Sequence, residues 1–122
     1  MIAEFAVSIA LAGCTVLGTS GNDRLVGTSG SDVICALGGN DVVTGLGGND
    51  LLDGGLGRDV LWGGPGSDRL EGGDGEDTLY GGRGGDLLYA WDWKRDKVDG
   101  GPGTDRAWVD GSDRIWSIER FS

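Results

Sequence analysis

GTSGNDRLV (18–26), GTSGSDVIC (27–35), ALGGNDVVT (36–44), GLGGNDLLD (45–53), GGLGRDVLW (54–62), GGPGSDRLE (63–71), GGDGEDTLY (72–80) and GGRGGDLLY (81–89) are eight consecutive nonapeptides in one register. Asp recurs every ninth residue, at Asp23, Asp32, Asp41, Asp50, Asp59, Asp68, Asp77 and Asp86. A Gly stands two positions before each Asp, and an aliphatic residue two positions after it: Leu25, Ile34, Val43, Leu52, Leu61, Leu70, Leu79 and Leu88. Strict self-similarity at a short period is the mark of a stacked repeat fold. The first six residues of each unit are glycine-rich and suit a tight turn, with carbonyls free to point outward. The last three are a strand fragment with one inward aliphatic between two outward residues. A strand of three residues cannot bury its apolar side alone, so the units must stack.

The rest of the composition narrows the function. The chain has 122 residues, 27 of them Gly, and a formal net charge of -10. That charge argues against a grip on phosphate backbones, so no nucleic acid partner is expected. With no His in the sequence there is no imidazole base for a Ser/His/Asp or Cys/His constellation, and no zinc site of the usual His-containing kind. An enzyme using two paired carboxylates stays open in principle but has no supporting cleft signal, and the expectation is a chain without catalytic activity. Two Pro and clustered rather than every-third Gly exclude collagen, and the regularly placed aliphatics and five Trp argue against a disordered linker.

These units resemble the RTX, or haemolysin-type, calcium-binding repeat, whose consensus is G-G-x-G-x-D-x-U-x. The resemblance covers residues 18–89 strongly and implies an all-β fold, a right-handed parallel β-roll (a β-solenoid) with two nonapeptides, hence 18 residues, per coil. Alternate units then lie in two short parallel sheets. Leu25, Val43, Leu61 and Leu79 form one inner column; Ile34, Leu52, Leu70 and Leu88 form the other. Residues 1–17 read as an apolar N-terminal segment, residues 18–89 as the calcium-binding repeats, and residues 90–122 as degenerate repeats with a C-terminal cap.

Stacking at 18 residues puts Asp23, Asp41, Asp59 and Asp77 in one column and Asp32, Asp50, Asp68 and Asp86 in another, at about the 4.8 Å strand spacing. Such columns repel unless a cation lies among them. Carboxylate and carbonyl oxygens select a hard cation, and calcium tolerates their irregular geometry where magnesium wants a tight octahedron. The candidate ligands are those eight Asp side chains with the turn glycines Gly39, Gly45, Gly48, Gly54, Gly57, Gly63, Gly66, Gly72 and Gly75. Six Asp pairs follow, 23/41, 41/59, 59/77, 32/50, 50/68 and 68/86. About six calcium ions would nearly neutralise the chain, so folding should be coupled to calcium. Thr19, Thr28 and the Ala36-Leu37 opening depart from the double Gly, which makes 23/41 the weakest pair. Arg58, Asp74 and Glu76 stand at variable positions and should face solvent.

After Tyr89 the segment AWDWKRDKVD (90–99) widens its coil, and Asp96 follows Asp86 by ten residues. Lys94 stands where Gly stood, so a 77/96 pair is expected to be lost. The repeat resumes at GGPGTDRAW (100–108) and then decays, leaving 86/105 outside the six pairs and Asp113 without a strong partner. Trp108, Ile115, Trp116, Ile118 and Phe121 suit a cap. Outside one sheet, Val42, Val60 and Thr78 run beside Thr44, Trp62 and Tyr80. β-propensity, or coverage by Trp91 and Trp93, accounts for this row, and an adhesin-like or carbohydrate-binding face for a cell-surface or glycan partner is the alternative.

Residues 2–13 (IAEFAVSIALAG) are too short for a membrane span and fit the hydrophobic part of a signal peptide, although Glu4 stands where a basic head is usual. An apolar capping helix is the other reading. Leu11-Ala12-Gly13-Cys14 resembles a bacterial lipobox, which would lipidate Cys14; the alternative is a Cys14–Cys35 disulfide. The cysteine pair flanking the first repeats also resembles secreted actinobacterial members of the family, and the disulfide is favoured. Ideal stacking puts Cys14 over Asp32, which is too far from Cys35 for a bridge unless the chain is irregular there. The expected protein is thus a bacterial, extracellular, monomeric calcium-binding roll.

Overall fold

The structure is a computed structural model and describes residues 13–121, with side chains through residue 119. The apolar segment 2–13 lies almost wholly outside the described residues. Thirteen short strands follow one another: β1 (Val16–Leu17), β2 (Arg24–Val26), β3 (Val33–Cys35), β4 (Val42–Thr44), β5 (Leu51–Asp53), β6 (Val60–Trp62), β7 (Arg69–Glu71), β8 (Thr78–Tyr80), β9 (Leu87–Tyr89), β10 (Lys97–Asp99), β11 (Arg106–Trp108), β12 (Arg114–Trp116) and β13 (Arg120–Phe121). All the pairings are parallel, and they join alternate strands. The order is β1-β3-β5-β7-β9-β11-β13 in one sheet and β2-β4-β6-β8-β10-β12 in the other. The protein is therefore an all-β parallel roll with two strands per coil.

Register follows the aliphatic columns. Leu25 sits beside Val43, then Leu61 and Leu79, in the six-stranded sheet. Ile34, Leu52, Leu70 and Leu88 run in the same way through the seven-stranded one. Both columns extend further than the eight regular units, to Val98 and Ile115 on one side and Ala107 on the other. From Ile34 to Ala107 these inward residues are fully buried and make one continuous core between the sheets. One-residue slips are forbidden because they would turn every column residue outward.

The widened coil is absorbed without loss of register. Strand β10 meets β8 with Lys97 beside Thr78, an offset one residue greater than in the preceding coils, and the extra residue bulges within 90–96. Residues 106–121 go on making strands that extend both sheets. Trp108 and Trp116 occupy outward strand positions, Ile115 is 38% exposed, Ala107 is in the core, and Val109 and Ile118 pack beside it. Nor do Trp91 and Trp93 cover the outer face. Both are exposed and meet each other edge-on at 6.4 Å.

Cys14 and Cys35 form a disulfide across a Cα–Cα distance of 6.0 Å. Strand β1 keeps ideal stacking, with Val16 beside Ile34 and the Gly18 N–H on the Cys35 carbonyl. At Thr15 the chain leaves that register, with its N–H on the Val33 carbonyl and its hydroxyl accepting the Val33 N–H, and Cys14 lies within reach of Cys35. Among the described residues no helix is long and apolar enough to cross a membrane.

Candidate metal centre

Strands β2 to β12 are each preceded by an Asp at the mouth of a turn, and the stacking aligns these Asp side chains. The N–H of Asp23 donates to Asp41 Oδ1 at 2.7 Å, and the N–H groups of Asp41 and Asp59 donate to Asp59 and Asp77 Oδ1 at 2.8 Å. On the other edge the N–H groups of Asp32, Asp50 and Asp68 donate to Asp50, Asp68 and Asp86 Oδ1, each at 2.8 Å. The two expected columns are therefore present. Each is also longer than expected. Asp77 N–H reaches Asp96 Oδ1 at 2.6 Å, Asp96 N–H reaches Asp113 Oδ1 at 3.0 Å, and Asp86 N–H reaches Asp105 Oδ1 at 2.8 Å.

These bonds satisfy one oxygen of each carboxylate and leave the other without a partner. Among the described residues, Oδ2 of Asp41, Asp50, Asp59, Asp68, Asp77, Asp86, Asp96 and Asp105 is buried with no hydrogen-bond donor. A buried ionised oxygen with no partner is costly, and native proteins keep such atoms for a ligand or an ion. The pKa values respond accordingly. Loss of solvent, with the stacked carboxylates adding to it, pushes Asp59 up to about 7, Asp68 to about 6, Asp77 to about 9 and Asp86 to about 8.

Asp23 and Asp32 differ. Their carboxylates accept from the N–H and hydroxyl of Thr19 and Thr28 respectively, at 2.7–3.1 Å, and the hydroxyl at this second repeat position is a donor that Gly cannot supply. The departure from double Gly thus has a structural effect at both positions, and the first coil meets its carboxylates from within the chain.

The candidate glycines fall into two kinds. Gly45, Gly54, Gly63 and Gly72 are needed for close approach: a Cβ on Gly54 would lie 2.7 Å from both Asp59 Oδ2 and the carbonyl oxygen of Gly72. Carboxylate and carbonyl oxygens therefore converge on a cradle that any side chain would fill. Gly39, Gly48, Gly57, Gly66 and Gly75 have positive φ; at Gly57 it is 103°, and a Cβ there would collide with the Gly39 carbonyl of the coil before. Only oxygen donors line these turns, so the residues fit a hard cation such as calcium.

Lys94 does not stand in the Asp column. Its side chain is exposed, its backbone N–H donates to Asp92 Oδ1 at 2.8 Å, and Asp96 occupies its place in the column. One carboxylate oxygen from each of Asp77, Asp92 and Asp96 lies within 4.8 Å of the other two. Asp113, expected to lack a strong partner, accepts from both Asp96 and Asp110 N–H. Asp96, Asp105 and Asp113 fell outside the six expected pairs because Asp96 follows Asp86 by ten residues and Asp113 follows Asp105 by eight; the glycine and aliphatic flanks of Asp105 are the signal that extends its column.

Arg58 and Glu76 face solvent as expected and pair at 3.2 Å. On the outer faces, Trp62 stacks on Tyr80 at 4.1 Å, and a second stack of Tyr89 on Trp108 at 4.3 Å carries the Arg69 guanidinium over the Tyr89 ring. Asn22 and Asn40 form a short ladder on one edge, accepting from the N–H groups of Asn40 and Arg58 through Oδ1, and Asn49 accepts in the same way from the Ser67 N–H on the other edge.

A search of curated proteins finds no significant match to the chain. The family model of the RTX calcium-binding nonapeptide repeat (4 copies) matches residues 17–52, 36–61 and 53–88. These matches include the turns of Asp41, Asp50, Asp59, Asp68, Asp77 and Asp86, each with an unsatisfied oxygen, and the chain belongs to the family of RTX calcium-binding nonapeptide repeat proteins.

Proposed function

We propose that this chain is a non-catalytic, monomeric module that folds outside a bacterial cell when its aspartate columns take up calcium. The observation that carries the reading is the row of buried Asp Oδ2 atoms with no donor. In the roll without metal these atoms repel their stacked neighbours, and in the roll with calcium they are ligands. Folding and binding are then one equilibrium. The Cys14–Cys35 disulfide supports an oxidising location. Extracellular calcium is about millimolar and matches the weak sites of extracellular modules, with Kd of about 10⁻⁴ to 10⁻³ M.

Asp41, Asp59, Asp77 and Asp96 on one edge and Asp50, Asp68, Asp86 and Asp105 on the other would hold the ions, with carbonyls of the adjoining turns. Stacked pairs with an unsatisfied Oδ2 on both members are 41/59, 59/77, 50/68, 68/86 and 86/105, and 77/96 makes a sixth. The total of about six ions is retained, but the pairs lie further toward the C-terminus than the sequence count put them. The 23/41 and 32/50 pairs drop out because Thr19 and Thr28 already serve Asp23 and Asp32. Bound calcium supplies only electrostatic neutralisation and oxygen bridging, and no bond of any substrate is made or broken.

The test is circular dichroism of the full chain during calcium titration, with magnesium as the control. A chain with little β-structure in chelator should become β-rich in calcium, and magnesium should do far less. Equal β content in chelator and in calcium refutes the reading.

A further inference from the structure

The loop between β9 and β10 has lost the glycines of the nonapeptide, yet it carries a carboxylate into the turn. We propose that Asp77, Asp92 and Asp96 form a three-carboxylate calcium site, tighter than the two-carboxylate sites of the regular coils; this rests on the calcium reading above.

The first observation is convergence. One oxygen of each of the three carboxylates lies within 4.8 Å of the other two, although Asp92 belongs to neither Asp column. A second, independent observation points to a ligand. Asp77 and Asp96 are 2% and 0% exposed, and Oδ2 of each is buried with no hydrogen-bond donor.

How Asp92 comes to be there explains why the site differs from the others. In two of the regular turns the N–H at the fourth repeat position is met by a main-chain carbonyl of the next coil: Gly57 by Asp74 at 3.1 Å, Gly84 by Pro102 at 3.2 Å. At Gly75 the acceptor is instead Asp92 Oδ2, at 2.8 Å. In the widened coil a side-chain carboxylate thus stands where those turns use a main-chain carbonyl. The hydrogen bond is kept and a full negative charge is added. Lys94 N–H fixes the other oxygen, and the Lys94 side chain is exposed. The N–H groups of Asp92 and Trp93 donate to Asp110 Oδ2, at 3.2 and 2.6 Å, which anchors the loop and brings a fourth carboxylate behind it. Burial, with the neighbouring carboxylates adding to it, holds the Asp96 carboxyl at about 7.

Three hard oxygen donors of this charge suit calcium, whose affinity rises with the number of charged ligands, and no nitrogen or sulfur is present to favour a transition metal. Asp77 lies within the residues that match the repeat family, which end at 88, and Asp92 and Asp96 lie beyond them.

The experiment compares the full wild-type chain with Asp92→Asn and Asp74→Asn, measuring bound calcium by titration calorimetry. Asn at position 92 keeps an oxygen for the Gly75 N–H and removes the charge; Asp74 stands at the same repeat position one coil earlier with an exposed side chain, and serves as the charge-matched control. Asp92→Asn should weaken the tightest step by roughly tenfold or remove it, with β content at saturating calcium unchanged. Asp74→Asn should leave that step alone. Unchanged tight binding in Asp92→Asn, or an equal loss in Asp74→Asn, overturns the inference while leaving the calcium roll intact. No calcium binding by the wild type at all refutes the broader reading instead. Should Asp92→Asn fail to fold, terbium luminescence excited through tryptophan gives a second readout. Trp91→Phe with Trp93→Phe, both exposed and adjoining Asp92, should dim the first terbium equivalent, and undiminished emission from it overturns the assignment.

Discussion

Removing calcium and lowering the pH should relieve the same strain by different means, and the structure gives the size of the effect. The Asp59 carboxyl rises from 3.8 to about 7 in the folded chain, mainly through loss of solvent, and Asp68 rises to about 6 for the same reason. At about 1.4 kcal/mol per pKa unit, holding Asp59 ionised in the metal-free roll costs on the order of 4 kcal/mol, and Asp68 about 3. Two such groups consume much of the stability of an ordinary domain, about 5–15 kcal/mol, and Asp77 at about 9 and Asp86 at about 8 are further displaced. Because these folded-state values lie above the unfolded ones, the folded chain binds protons more tightly. Stability of the metal-free roll is therefore complete only below about pH 4 and is lost as the pH rises through about 6 to 9. Calcium-stripped protein followed by far-ultraviolet circular dichroism should gain β-structure on going from about pH 9.5 to pH 5.5, a range that stays clear of precipitation at the pI of about 4.1. In saturating calcium the dependence should reverse, since protons then compete with the metal. A β signal in the metal-free protein that is flat or falls across that range would refute the reasoning, because it would mean that the buried carboxylates are not what destabilises the roll.

Asp59→Ala should raise the calcium midpoint of folding several-fold, because Asp59 belongs to both the 41/59 and 59/77 pairs, whereas Asp74→Ala, at an exposed position, should not; equal shifts would sink the assignment. Leu61→Ala, at a fully buried column position with packed neighbours in both adjoining coils, should lower stability by about 2–5 kcal/mol in urea unfolding with calcium present. Leu56→Ala is the exposed control and should change it little. Replacing Cys14 and Cys35 together by Ser should cost about 3 kcal/mol, as expected for opening a loop with a sequence separation of 21, and chemical denaturation in saturating calcium will read it.

Which features were legible depended on whether a residue's position followed from the repeat alone. Period nine fixes which side chains point inward, so Leu25, Ile34 and the six aliphatics after them could be assigned to two columns, and the Asp columns and Gly turns followed from the same count. A stacked repeat fold has only nearest-neighbour contacts, which is why a linear pattern carries so much of it. Where the period changes, the sequence alone gives the wrong neighbours. After Tyr89 it is the pairing of β10 with β8 that restores register, returns Asp96 to the column and turns Lys94 outward, and no spacing rule contains that information. The same holds for Thr19 and Thr28, whose hydroxyls reach the carboxylate four residues on only because the turn curls back. Composition and period determined that this chain is a roll with acidic turns. Tertiary stacking alone decided which carboxylate oxygens are satisfied by the chain and which are left for a cation, because that depends on where a neighbouring coil's N–H groups point.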